Sequence, residues 1–190
     1  MDIPFFGEDF EIKNKFREQM AYISDPSRTI AISSLAAAKA VMIGSGYFRP
    51  LVGFHGIDDT ISICDSMMMT NKLFWPIPLL NIVNSVDGLE KGMTVNLRDP
   101  NYSNETILGK QYIESIHKIT KSEKIKIIES IFGTKDNSHP GVKMMQELGD
   151  YMISGDVVTA NYSYYPQDFP STFMTAPEIR LKFSEKGYKK

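Results

Sequence analysis

The stretch from Pro76 to Ile119 constrains the fold most. It holds three short runs, PIPLLNIVNS, MTVNLRD and ETILGKQYIESIHKI, rich in Ile, Val, Leu and Thr and separated by Gly-Leu-Glu-Lys-Gly and Asp-Pro-Asn breaks. Runs of this kind read as strands of a small barrel or curled sheet. Alternation fails where Ile113, Ile116 and Ile119 step by three, which leaves that stretch open to a bulge or a helical turn.

Helical patterning surrounds this centre. From Ser33 to Ile43 a Ser cap precedes strong helix formers, Leu35, Ala38 and Met42 recur at helical spacing, and Gly44 and Gly46 supply the stop. Asp58 to Met68 pairs an Asp cap with a stripe of Ile61, Cys64 and Met68. Thr120 and Glu123 form a capping-box pair ahead of Ile125, Ile128 and Phe132, with Gly133 as terminator. Pro140 suits the first turn of a helix over VKMMQEL, Gly149 its exit, and SGDVVTANYSYY gives one more strand. Thr175 and Glu178 make a second capping box for a last helix through Phe183, with Ile179 and Phe183 facing inward and Gly187 at its end. Strands between helices, with no internal repeat, make the expected fold class α+β.

Composition narrows the partners. The 190 residues suffice for a hydrophobic core without metal or disulfide staples. With 21 Lys+Arg against 23 Asp+Glu, nothing global draws the chain to a nucleic-acid backbone or an anionic membrane, and neither is expected as a partner. Cys64, the single cysteine, cannot close an internal disulfide and fits a buried filler in a reducing compartment. The first twenty residues lack a leader pattern and no run is apolar enough to span a bilayer, so the expected location is cytoplasmic.

Chemistry-bearing constellations are missing. His55, His117 and His139 lie far apart with no H-x-x-x-H or C-x-x-C beside them, and neither a phosphate-loop nor a dinucleotide-binding glycine string occurs. The Gly44–Tyr47 string GSGY ends a helix instead of opening one, the wrong polarity for holding phosphate. Asp58 and Asp59 read as a cap and a favourable charge at a helix start, Met67 to Met69 as packing, and Lys182, Lys186, Lys189 and Lys190 as complements of a helix carboxyl end. His139 before Pro140 reads as a cap or packing residue. No catalytic, cofactor-binding or metal-ligating residue is assigned.

Four strings in fixed order carry a resemblance. Gly46 through Phe54 (GYFRPLVGF), with Phe48, Pro50, Leu51, Gly53 and Phe54, resembles the G-x-F-x-P-L-x-G-F signature of ATP sulfurylases (sulfate adenylyltransferases). Leu73 through Pro78, with Trp75, Pro76 and Pro78, is similar to that family's L-x-W-P-I-P; Phe132-Gly133-Thr134 with His139, Pro140, Gly141 and Val142 is similar to its F-G-T-x-D-x-x-H-P-G-V. Asp168-Phe169-Pro170 with Thr175, Glu178 and Arg180 resembles D-F-P…T-P-x-E-x-R, so the likeness runs from about Ser33 to Tyr188. Read physically, these strings are architecture: two prolines set extended geometry and Trp75 offers a large buried anchor. Arg49, His55, Phe173 and the altered Thr175-Ala176-Pro177 depart from the family pattern.

The resemblance implies a PUA-like β pseudobarrel with surrounding helices, over residues 1–174, followed by a linker helix over 175–190. In that family sulfate is joined to the AMP portion of ATP, with release of pyrophosphate, or the reverse. The chemistry belongs to a following nucleotide-binding domain bearing Q-x-R-N-x-x-H-x-x-H and G-R-D. Neither string is present; Leu97-Arg98-Asp99 lacks the glycine. The implied role is accessory: no cofactor here, ATP and sulfate in the catalytic domain, that domain as partner, and homo-oligomerisation of the parent enzyme left open. Asp168, Phe169, Glu178 and Arg180 are the expected interdomain contacts. The alternatives are a stand-alone PUA-like module gripping RNA, disfavoured by the balanced charge, and a scaffold docking on an intact sulfurylase.

Overall fold

The computed structural model describes residues 28–99, 107–159 and 161–188. Lys189, Lys190 and the first twenty residues read for a leader lie outside them. In chain order the elements are β1 (Thr29–Ala31), α1 (Ser34–Gly44), β2 (Gly53–Phe54), α2 (Ile57–Ser66), β3 (Ile82–Val83), β4 (Thr94–Arg98), β5 (Ile107–Tyr112), β6 (Ser115–Lys118), α3 (Lys121–Phe132), α4 (Pro140–Glu147), β7 (Tyr151–Thr159), α5 (Tyr165–Asp168) and α6 (Ala176–Glu185). Helices and strands are interspersed along the chain, with β3 to β6 running consecutively, and the fold is α+β.

The sheet is mixed and centred on β7. Its main path runs β1-β4-β5-β7-β2, with β3 and β6 also paired to β7. Among the described residues only β1 and β4 run parallel; the other pairings are antiparallel. Met152 faces both Ile82 and His117, so β7 has a strand on each side there. Further along, Gly155 and Asp156 pair with β2, and Val157 to Thr159 with β5. This crowding requires glycine. A Cβ on Gly53 would overlap the Gly155 carbonyl, and Gly155 itself sits at φ +129, where a Cβ would overlap the Tyr112 carbonyl.

Successive β7 residues serve two cores, as strand pleating demands. Ile153 belongs to a large cluster with Val41, Leu97, Leu108 and Ile113, while Met152 joins a smaller one with Ile127, Ile128, Val142 and Met145. Each such buried aliphatic side chain contributes about 1.5–3 kcal/mol of burial free energy.

Local signals account for the helix starts. The Ser33 hydroxyl accepts from the Ala36 N–H at 3.1 Å, and Thr120 and Glu123 close a reciprocal capping box on α3. Thr175 and Glu178 do the same for α6. Helix α2 differs from expectation. Its N-cap is Gly56, without a side-chain cap, and Asp58 and Asp59 fall in the first turn. Asp59 instead accepts from the Thr70 N–H at 2.9 Å and hydroxyl at 2.6 Å, tying α2 to the following hairpin. Helix α1 runs through Gly44 and turns at Gly46, whose φ is +81.

Several faces and bounds also differ. Helix α1 buries Ala36, Ala37, Ala40, Val41 and Ile43, where Leu35, Ala38 and Met42 were expected, because small side chains let it approach β7 closely. On α3, Ile127 is buried and Ile125 is 40% exposed. The stretch with Ile113, Ile116 and Ile119 forms two strands and no helix. Ile113 lies between them: its N–H donates to the Met93 carbonyl and its own carbonyl accepts from Gly92, in the β4–β5 register, and the next N–H, of Glu114, turns instead to the Ser154 carbonyl of β7. Of PIPLLNIVNS only Ile82–Val83 is strand, and the late strand starts at Tyr151 and ends at Thr159. Cys64 is half-buried, and burial pushes its thiol up. Phe183, expected inward, is 51% exposed, since α6 buries only Ala176.

Candidate functional site

The structure brings three of the four motif strings to neighbouring places and leaves one apart. After α1 the chain turns at Gly46 into the string that holds Phe48, Pro50, Leu51, Gly53 and Phe54. Phe48 meets Trp75 edge-on, with ring centroids 5.7 Å apart and planes at 87°. Trp75 is half-buried, not fully enclosed, and closes the Met67–Trp75 hairpin, its N–H donating to the Met67 carbonyl at 2.8 Å. The Arg49–Pro50 bond is cis. Leu51 and Phe54 are buried in the large core, and Gly53 and Phe54 form β2. Pro76 is exposed, whereas Pro78 is buried and its carbonyl accepts from Lys39 Nζ at 3.2 Å.

The last string closes over the first. The Tyr47 hydroxyl donates to the Met174 carbonyl at 2.7 Å, and the Ala176 N–H to the Ser45 carbonyl at 2.8 Å. Between them lies an open groove of about 330 Å³ lined by Val41, Met42, Tyr47, Tyr165, Phe169 and Phe173. Phe173, at the position where the family pattern places Arg, packs against Tyr162 at 5.2 Å. Phe169 is 52% exposed beside this groove; Asp168 and Arg180 are exposed. Glu178 is occupied differently: its carboxylate accepts from the Thr175 N–H at 2.6 Å and hydroxyl at 2.7 Å, which holds its acid below the usual range.

His139, Pro140 and Gly141 stand elsewhere, over the smaller core. His139 is the N-cap of α4, with Nδ1 accepting from Gly141 at 3.2 Å and Val142 at 3.4 Å. Its ring lies 5.2 Å from that of Phe132, and a Cβ on Gly141 would run into the same Phe132 ring. The other histidines are engaged separately. His117 Nε2 lies 3.1 Å from Glu123, and His55 is buried beside Leu79.

His55 and Lys39 are the electrostatic feature that sequence reading missed. Burial pulls the His55 imidazole down from 6.5 to about 4, with Asp59 working against that and Lys39 adding to it. Burial likewise lowers the Lys39 amine to about 8. The available signal was a lysine inside the otherwise apolar AAAKAV run, the kind of residue that needs a partner. Among the described residues no group of three or more His, Cys, Asp or Glu could hold a metal ion, and no helix is long and apolar enough to cross a membrane.

Comparison with known proteins places this arrangement. The family model described as PUA-like domain matches residues 9–162. The chain belongs to the PUA-like domain family. Curated relatives of this PUA-like domain include sulfate adenylyltransferases. The chain is 39% identical over 160 residues to that of Alcanivorax borkumensis, covering 84% of this chain and 40% of the relative. It is 38% identical over 162 residues to that of Allochromatium vinosum, covering 85% and 41%. The PUA-like domain thus spans about two fifths of these relatives' length, and it is of the ATP-sulfurylase type. A solved structure, the hexameric APS kinase from Thiobacillus denitrificans, shares the fold with a TM-score of 0.64 at 18% identity, over 93% of this chain and 30% of that one.

Proposed function

We propose that this PUA-like domain is the amino-terminal supporting part of a sulfate adenylyltransferase and that adenylyl transfer is carried out by the remainder of the enzyme. The observation that carries the reading is the lopsided match: 84% of this chain aligns with 40% of the Alcanivorax borkumensis enzyme. ATP and sulfate are held in that remainder, where cationic and imidazole groups stabilise a transition state that brings an anionic sulfate against a phosphate. In this reading the described residues up to 174 belong to the supporting body, and α6 (Ala176–Glu185) leads towards the remainder. The enzyme works in the cytoplasm, consistent with a single thiol and no disulfide.

The interdomain contact falls on the face of Phe169 and α6. Phe169 is 52% exposed, and on α6 Leu181 is 61% and Phe183 51% exposed on different sides of the helix, apolar surface that suits protein contact. Asp168 and Arg180 flank it. Glu178 caps α6 through Oε2 and, like Arg180, is exposed on that helix.

The test is direct. The purified 190-residue chain is assayed for ATP formation from adenosine 5′-phosphosulfate and pyrophosphate, alone and with the remaining three fifths of the Alcanivorax borkumensis enzyme. No turnover alone, and binding of the added part by calorimetry, is the expected result; turnover by the chain alone overturns the reading.

A further inference from the structure

We infer that His55 is an acid-released latch fastening the Pro76–Leu80 segment to the end of β2. Two bonds make the latch. The His55 N–H donates to the Leu79 carbonyl at 2.9 Å, and the Leu79 N–H donates back to His55 Nδ1 at 2.9 Å. Because Nδ1 accepts, the ring proton sits on Nε2, and that atom is buried without a hydrogen-bond partner in a residue only 4% exposed. A histidine whose neutral form alone fits its surroundings is poised to respond to a proton.

Protonation undoes the latch in two ways. Nδ1 becomes a donor and faces the Leu79 N–H, so an acceptor is replaced by a like dipole. A cation is also left in a buried site. Two charged groups face the ring. Asp59 on α2 favours the cation, but its Oδ1 already accepts twice from Thr70; Lys39 on α1 opposes it. Lys39 holds the adjacent carbonyl, Pro78, so the same five-residue segment is gripped from α1 and from β2. The segment follows Trp75, whose ring leans on Phe48, and release frees the strip that carries exposed Ile77.

The direction follows from linkage. The closed form binds its proton near pH 4 and the open form near the ordinary 6.5, so opening takes up a proton between these values. The latch holds at full strength above 6.5 and weakens as pH falls towards 4. Opening rises by up to about tenfold per pH unit, about 300-fold over the window.

Amide hydrogen exchange on the intact chain, corrected for intrinsic rates, reads this out between pH 7 and 4.5. Leu79 is expected to lose protection up to tenfold per unit while the Ile127 amide within α3 does not. In parallel the His55 ring titrates, by its Cε1–H shift, with a midpoint below 6. The variant His55→Asn places a carboxamide oxygen where Nδ1 sits and cannot titrate there, so Leu79 stays protected at acid pH. Flat Leu79 protection while the ring titrates, or parallel loss in wild type and His55→Asn, overturns the latch. The wild-type ring and amide measurements decide alone if the variant does not fold.

Discussion

His139 spends one ring nitrogen on the first turn of α4, and its removal leaves the Gly141 and Val142 N–H groups without that acceptor. His139→Ala is expected to cost about 1 kcal/mol in urea unfolding, the usual loss for an N-cap. Gly141→Ala is worse, about 1–3 kcal/mol, because the new methyl displaces the Phe132 ring. Lys39 gives a pH signature. Its folded value, about 8, lies below the ordinary 10.5, so stability climbs as pH rises from 8 to 10.5 and is lower below 8. Lys39→Met is expected to raise the melting temperature at pH 7 and flatten the slope above pH 8. At this scale the two capping boxes were legible, since a Thr followed three residues on by Glu satisfies its own backbone, whereas the Asp cap expected for α2 was not found: Gly56 stands there. The His55–Leu79 pairing was not, because its partners lie 24 residues apart and nothing local joins them.

Each helix start with a capping box depends on one carboxylate. Glu123 and Glu178 are held below the usual acid range, chiefly by the backbone N–H groups of Thr120 and Thr175. A lowered folded value means stability present above about pH 4.5 and lost as pH falls below it. Thermal melts from pH 6 to 3.5 are expected to drop less steeply for the Glu123→Gln, Glu178→Gln double variant than for wild type. The other end of α4 is held by Lys124, whose ammonium reaches the carbonyls of Gln146, Leu148 and Gly149 and the carboxylate of Asp150, with the closest contact 2.7 Å. Helix bounds were readable from such ends, but faces less so. In α3, Ile125, Ile127, Ile128 and Ile131 spread around the helix, and packing alone decides that Ile127 and Ile128 go inside. Likewise Ile113, at the break between β5 and β6, is set by its bonds to Gly92 and Met93, which no period reveals.

For the molecule as a whole, the exposed apolar side chains of α6 separate stability from association. Leu181→Ser with Phe183→Ser is expected to leave the unfolding free energy of the chain within about 0.5 kcal/mol, since neither side chain is buried here. On the proposed reading the same pair weakens binding to the rest of a sulfate adenylyltransferase, measured by calorimetry; a stability loss of several kcal/mol would instead place both side chains inside the domain. Membership of the PUA-like family was legible in ordered strings, whereas the sheet was not, because its pairings join residues far apart in sequence. Four other strands meet on β7, and their partners begin as early as Gly53. A ribosome must therefore deliver the chain through Thr159 before the sheet can close. Until then β2, β3, β5 and β6 wait with unclaimed edges, the interval in which a nascent chain of this kind most needs a chaperone.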